Sequence, residues 1–167
     1  MGNQTLRELL RGKRAHTDSV ACLEDLAWSL TGRKIEGYPH SIFQIVGHLN
    51  YWMEYELKRI DGKPPAYPER AIESWPEADG PAAEEEWQDA VGEFRALLEK
   101  FTALSESGPQ VLNQKVIGQN LSQESESSTV ETVLWQIVVH NSYHLGQVTL
   151  LRRSFGAWPP RCGSDTW

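Results

Sequence analysis

Cysteine is scarce in this chain: the 167 residues contain only Cys22 and Cys162, far apart and in no Cys-x-x-Cys spacing. That excludes a disulfide framework and a thiolate zinc site, and it fits a reducing compartment. Long apolar runs are missing too. The stretch Met1-Gly2-Asn3-Gln4-Thr5-Leu6 turns charged at Arg7 and Glu8, without the apolar core of a secretory signal, and no later run has the length of a bilayer span. Leu6 also stands where N-myristoylation requires Ser or Thr. The expectation is a soluble, cytoplasmic protein with no membrane partner. Basic residues are outnumbered, 16 Lys and Arg against 23 Asp and Glu, for a net charge of -7 and a pI near 5.2. Such a surface repels phosphate backbones, so the expected partner is a small-molecule substrate rather than nucleic acid.

The length suits a single domain over residues 1–167 with a real core. Alternation of period two is absent over any useful length, whereas apolar residues recur at helical spacing in four segments. The predicted fold is all-α. The first segment runs from about Asn3 to Leu30, with Leu6, Leu9, Leu10, Val20, Leu23, Leu26, Ala27 and Leu30 inward, Gly12 as a point of interruption and Thr31-Gly32 as the stop. The second opens with the capping box Ser41-Ile42-Phe43-Gln44, carries Ile45, Leu49, Trp52, Met53, Leu57 and Ile60 on one face, and ends at Asp61-Gly62. The third begins at Pro81 and buries Trp87, Val91, Phe94, Leu97, Leu98 and Phe101; Glu84, Glu85 and Glu86 read as a solvated first turn. The fourth opens with Ser128-Thr129-Val130-Glu131, a second capping box, and runs to Phe155 before Gly156.

Two connections are long. The stretch from Asp61 to Gly80 holds Pro64, Pro65, Pro68 and Pro76 and can run back along a helix of about 30 Å. That length predicts an up-down-down-up four-helix bundle in which the second and fourth helices are antiparallel. The stretch from Ser105 to Ser127 is also long, and its Val111-Leu112 and Val116-Ile117 pairs are expected to pack over the bundle end.

The fourth segment contains His140-Asn141-Ser142-Tyr143-His144-Leu145-Gly146-Gln147. Histidines four residues apart share one helix face, and neutral imidazole is a common metal ligand. A buried ring without a partner is costly, so the pair is read as a metal site, against the alternative of hydrogen-bonded core histidines. A third ligand must come from another helix. His48 is best placed, about 10 Å along the second helix at 1.5 Å per residue. His16 reads as a core or surface group and His40 as a loop group. Three histidines leave open positions on an ion, where water or a thiol can bind and lose its proton near neutral pH. Gln147 lies three residues after His144, where it can hydrogen-bond at the edge of the site. Among the seven tryptophans, Trp135 is expected in the core, and Trp158 and Trp167 at a partner surface or pocket rim.

His48-Leu49, the run from His140 to Gln147, and Leu150-Leu151-Arg152-Arg153 with Gly156-Ala157-Trp158-Pro159-Pro160 together resemble the DinB/YfiT-like superfamily, especially its bacillary DinB-like members. The resemblance covers nearly the whole chain. It implies a homodimeric up-down-down-up bundle with a divalent ion, zinc or nickel, on His48, His140 and His144. It also implies a thiol chemistry, since relatives include S-transferases and isomerases that use bacillithiol, mycothiol or glutathione. Three functions stay open: a metal-dependent thiol S-transferase, a hydrolase activating water, and a non-enzymatic metal-binding or stress-response protein. For hydrolysis, Glu54 and Glu56 are candidate bases, although both are expected to face solvent or a partner.

Overall fold

Ser41 caps helix α4 (Ile42–Ile60) as the sequence predicts: its Oγ accepts from the Gln44 N–H at 3.1 Å and Gln44 Oε1 accepts from the Ser41 N–H at 3.2 Å. In this computed structural model, which describes residues 3–116 and 128–162, the other long helices are α5 (Glu84–Ser105) and α7 (Val130–Ser154). The expectations for Ile117, for the Ser/Gln/Glu-rich part of the 105–127 stretch and for Trp167 lie outside the described residues. Shorter helices are α1 (Gln4–Leu10), α2 (Ala21–Glu24), α3 (Trp28–Thr31) and α6 (Pro109–Leu112), and a 3-10 turn spans Ala71–Ser74. The fold is all-α; among the described residues, β-type pairing is confined to a bridge between Lys115 and Thr129.

The first segment is not one helix to Leu30. After α1 the backbone turns through positive φ at Gly12 and Arg14. Asp18 then holds the reversal, accepting from Arg11 Nε and Nη2 at 2.9 and 3.0 Å and from the Val20 and Ala21 N–H groups at 2.9 and 3.1 Å. A carboxylate so placed satisfies the orphan donors that open α2. Ala27, expected inward, is exposed. Helix α5 starts at Glu84 rather than Pro81, with Glu84, Glu85 and Glu86 exposed in its first turn, where carboxylates suit the helix dipole. At α7 the cap is Thr129, not Ser128; its Oγ1 accepts from the Thr132 N–H, and with the cap there Thr132 rather than Glu131 stands third in the helix, so no capping box forms and Glu131 instead accepts from Asn3 Nδ2.

The predicted stripes do form the core. Leu6 and Leu10 of α1, Ile45, Leu49 and Met53 of α4, Trp87, Phe94 and Phe101 of α5, and Val133, Ile137, Val148 and Leu151 of α7 are buried together. Truncating any of the large rings to Ala costs about 3–5 kcal/mol at such a site. Helix α4 packs on α5 and α7, and α1 packs on the same two helices. Leu112 and Val116 join this core from the 105–127 stretch, whereas Val111 is exposed. Trp135, expected inside, is 38 % exposed, next to the buried Leu134.

The crossover from α4 to α5 is docked, not loose. A Cβ on Gly47 would stand 2.4 Å from Pro76 Cγ, so glycine allows the turn to lie directly on α4. Gln44 Nε2 donates to the Pro76 carbonyl at 3.1 Å and to Asp79 Oδ1 at 3.2 Å, and Ser41 Oγ donates to the Asp79 carbonyl. These contacts bring residues 74–76 beside His48.

Candidate metal centre

His48 of α4 meets His140 and His144 of α7 with one ligand nitrogen from each ring within 4.8 Å of the others. The geometry follows from two helix faces. His140 and His144 lie one turn apart on α7, and His48 sits at the edge of the inner face that carries Ile45, Leu49 and Met53. His48 Nε2 is 3.2 Å from His140 Nε2, and ring centroids across the group lie 4.7–5.1 Å apart. His48 and His144 are each 6 % exposed and His140 is half-buried.

Two of the rings are oriented from outside the group. His144 Nδ1 hydrogen-bonds Gln147 Oε1 at 2.8 Å; an amide oxygen only accepts, so Nδ1 carries the proton and Nε2 the lone pair. His48 Nδ1 faces Ser74, 3.0 Å from its Oγ and 3.3 Å from its carbonyl. Trp75 stacks on His48 with centroids 3.8 Å apart and meets His144 edge-on at 5.7 Å.

Burial holds the imidazoles neutral. Desolvation first, then the charges of His144 and His140, push the His48 pKa down to about 3. Desolvation and then His144 push His140 down to about 4, and desolvation also lowers His144 against the opposing Gln147 hydrogen bond. At neutral pH all three rings therefore offer lone pairs, which is the state a metal ion requires. The donor set fits an ion: three nitrogens, all uncharged and within 4.8 Å of one another, can hold a divalent metal.

The other candidates lie elsewhere. His16 hydrogen-bonds the Thr17 carbonyl and Ser142 Oγ and takes no part in the group. His40 is outside the ligand set but stacks on the far face of Trp75, 3.6 Å between centroids. Glu54 pairs with Lys58 on the surface at 2.8 Å. Glu56 does not face solvent; it is buried in an ion pair with Arg59 at 2.6 Å. Trp158 lines a cavity of about 400 Å³ with His16, Cys22, Ser142 and Thr149. Ser142 lies two positions from both His140 and His144, so that cavity opens on a different side of α7.

Sequence reasoning missed Ser74 and Trp75, which reach the site from the proline-rich crossover. Gly47 immediately before His48 was the available signal, because a glycine inside a helix marks a close approach by other chain.

The chain belongs to the DinB superfamily, whose family model matches residues 11–148 and takes in His48, His140, His144 and Gln147. Neither the curated proteins nor the solved structures compared with the chain give a match.

Proposed function

We propose that this DinB-superfamily protein is a metal-dependent thiol S-transferase in which His48, His140 and His144 hold a divalent ion, zinc or nickel. The observation that carries the reading is the convergence of three neutral imidazoles, with no carboxylate or thiolate in the group among the described residues. A divalent ion on such a set keeps positions open and lowers the pKa of a thiol or water bound there. The thiol is favoured over water by the state of the two candidate bases. Glu54 lies on the surface beside Lys58, Glu56 is buried against Arg59, and neither belongs to the histidine group, so neither stands ready as the base that water activation uses.

The reading includes an up-down-down-up bundle and a homodimer. Contacts supporting the first are Asn3 on Ser105 and on Glu131, Asn50 on Ala90, and Asn141 on Met53. Supporting the second, Trp135, Val139, Tyr143 and Leu150 are all exposed on α7. A cytoplasmic compartment and a small-molecule substrate complete it. Among the described residues no helix is long and apolar enough to cross a membrane.

The test is elemental analysis of the purified protein beside His48→Ala and His140→Ala, followed by conjugation of monochlorobimane with bacillithiol, mycothiol, glutathione or coenzyme A. Metal at one ion per chain, lost in both variants, and turnover that needs a thiol are expected. Unchanged metal content in both variants removes the three-histidine site; ester or amide hydrolysis without added thiol replaces the transferase by a hydrolase.

A further inference from the structure

The partners of Ser74 decide where the His48 proton sits. A serine hydroxyl has one hydrogen, and Ser74 Oγ donates it to the Ala71 carbonyl at 2.8 Å. What remains on Oγ is lone pairs, and the Ser74 carbonyl has nothing else to offer. Both atoms lie within hydrogen-bond reach of His48 Nδ1, so Nδ1 must be the donor and Nε2 must carry the lone pair. Nε2 is the nitrogen that faces His140 Nε2. Ser74 is itself 3 % exposed, so water does not compete for these bonds.

Trp75 fixes the plane of the same ring. Its indole lies between His40 and His48, stacked on both at interplanar angles of 8° and 10°. The turn bearing these two residues is held on α4 by Gly47, Gln44 and Ser41. The two acceptors of Ser74 and one aromatic wall thus act on His48 from a segment remote in sequence from all three histidines.

We propose that Ser74 and Trp75 are positioning residues that preassemble His48 as an Nε2 ligand before any ion binds. The consequence for metal affinity rests on the three-histidine reading above; the tautomer of His48 does not. Groups hydrogen-bonded to metal-ligating histidines contribute about 10- to 100-fold in affinity. Aligned rings also lose less freedom when an ion is captured.

Long-range ¹H–¹⁵N NMR of the imidazoles in metal-stripped full-length protein at pH 7.5 reads the tautomer without a variant. His48 is expected with a protonated Nδ1 and a pyridine-type Nε2. Zinc affinity, measured against a chromophoric chelator, is expected to fall about 10-fold in Ser74→Ala, which removes Oγ but keeps the backbone carbonyl, to fall also in Trp75→Ala, and to be largely restored in Trp75→Phe. His48 found with its proton on Nε2 overturns the proposal, as does zinc affinity unchanged in both alanine variants. Wild-type protein that binds no zinc, with His48 in the Nδ1–H form, overturns instead the metal reading beneath it, and the positioning role for an ion falls with that.

Discussion

His48 Nε2 and His140 Nε2 stand 3.2 Å apart across the contact between α4 and α7. Two imidazolium ions cannot share that space, because burial and the like charge of the neighbour both oppose a second proton on either ring.

The pH dependence of stability follows. In the unfolded chain these histidines take up protons near pH 6.5, as free imidazole does, whereas in the folded metal-free protein they do so at about 3 for His48 and about 4 for His140. Between those limits the unfolded state binds more protons, so stability is full above about pH 7 and is lost as the pH falls toward 4. Unfolding free energies of the metal-stripped protein from guanidinium titrations at pH 7.5 and 4.5 should differ by on the order of a few kcal/mol, with the lower midpoint at pH 4.5. His48→Phe should flatten the dependence; a wild-type midpoint constant over that range would contradict the burial of the cluster.

The two cysteines should behave differently. Cys22 is buried, with a weak contact to Thr149 Oγ1 at 3.8 Å, and desolvation pushes its thiol pKa up to about 11. Cys162 is exposed. Since the thiolate is the reactive species, iodoacetamide at pH 8 should modify Cys162 within minutes and leave Cys22 until the protein is unfolded in guanidinium. Peptide mass spectrometry over a time course checks this. Equal labelling rates would mean that Cys22 is not packed against α7.

What could be read from the sequence was what is decided locally. Ser41 with Gln44, and Phe155 before Gly156, mark helix ends by bonds and dihedrals within a few residues. The α5 stripe from Trp87 to Phe101 is set by one period. His48, His140 and His144 were legible because helical spacing and depth are also local quantities, and family resemblance then joined the helices. Adjacent hydroxyls at Ser128 and Thr129 left the cap of α7 ambiguous by one residue. The break after α1 depends on Asp18 reaching back to Arg11, and the burial of Glu56 depends on Arg59. Ser74 and Trp75 were hidden for a stronger reason: they reach His48 only because the crossover docks at Gly47, and no pattern inside the crossover states where it lands.

Arg152 should be the costliest charge to remove. It is 2 % exposed, and its guanidinium donates to the Cys22 carbonyl at 2.6 Å, Asp25 Oδ1 at 2.7 Å and the Ala157 carbonyl at 2.9 Å, tying α2 and the chain after α7 to α7 itself. Arg152→Met keeps the bulk but takes the donor from the Cys22 and Ala157 carbonyls, while the partly exposed Asp25 regains water, so a loss of about 1–3 kcal/mol is expected. Lys58→Met, which breaks only the half-exposed pair with Glu54, should change stability by less than about 1 kcal/mol. Urea unfolding of the two variants measures the contrast, and similar losses would show that Arg152 is not the tie described.

Two glycine-to-alanine changes inside helices should have opposite signs. In α4, the Cβ of Gly47→Ala would fall 2.4 Å from Pro76 Cγ and 3.1 Å from Pro76 Cδ. A proline ring cannot rotate away as a flexible side chain can, so the crossover must lift, and overpacking of this kind costs about 1–3 kcal/mol. In α5, Gly92 is exposed, and a Cβ there meets nothing within 4 Å. Gly92→Ala should therefore stabilise the protein by up to about 1 kcal/mol through helix propensity alone. Thermal melts of the two variants against wild type give the signs directly. The same Gly47→Ala protein should also lose zinc affinity, since lifting Pro76 carries Ser74 and Trp75 away from His48; a variant that melts lower yet binds zinc as wild type would separate the docking of the crossover from the order of the site.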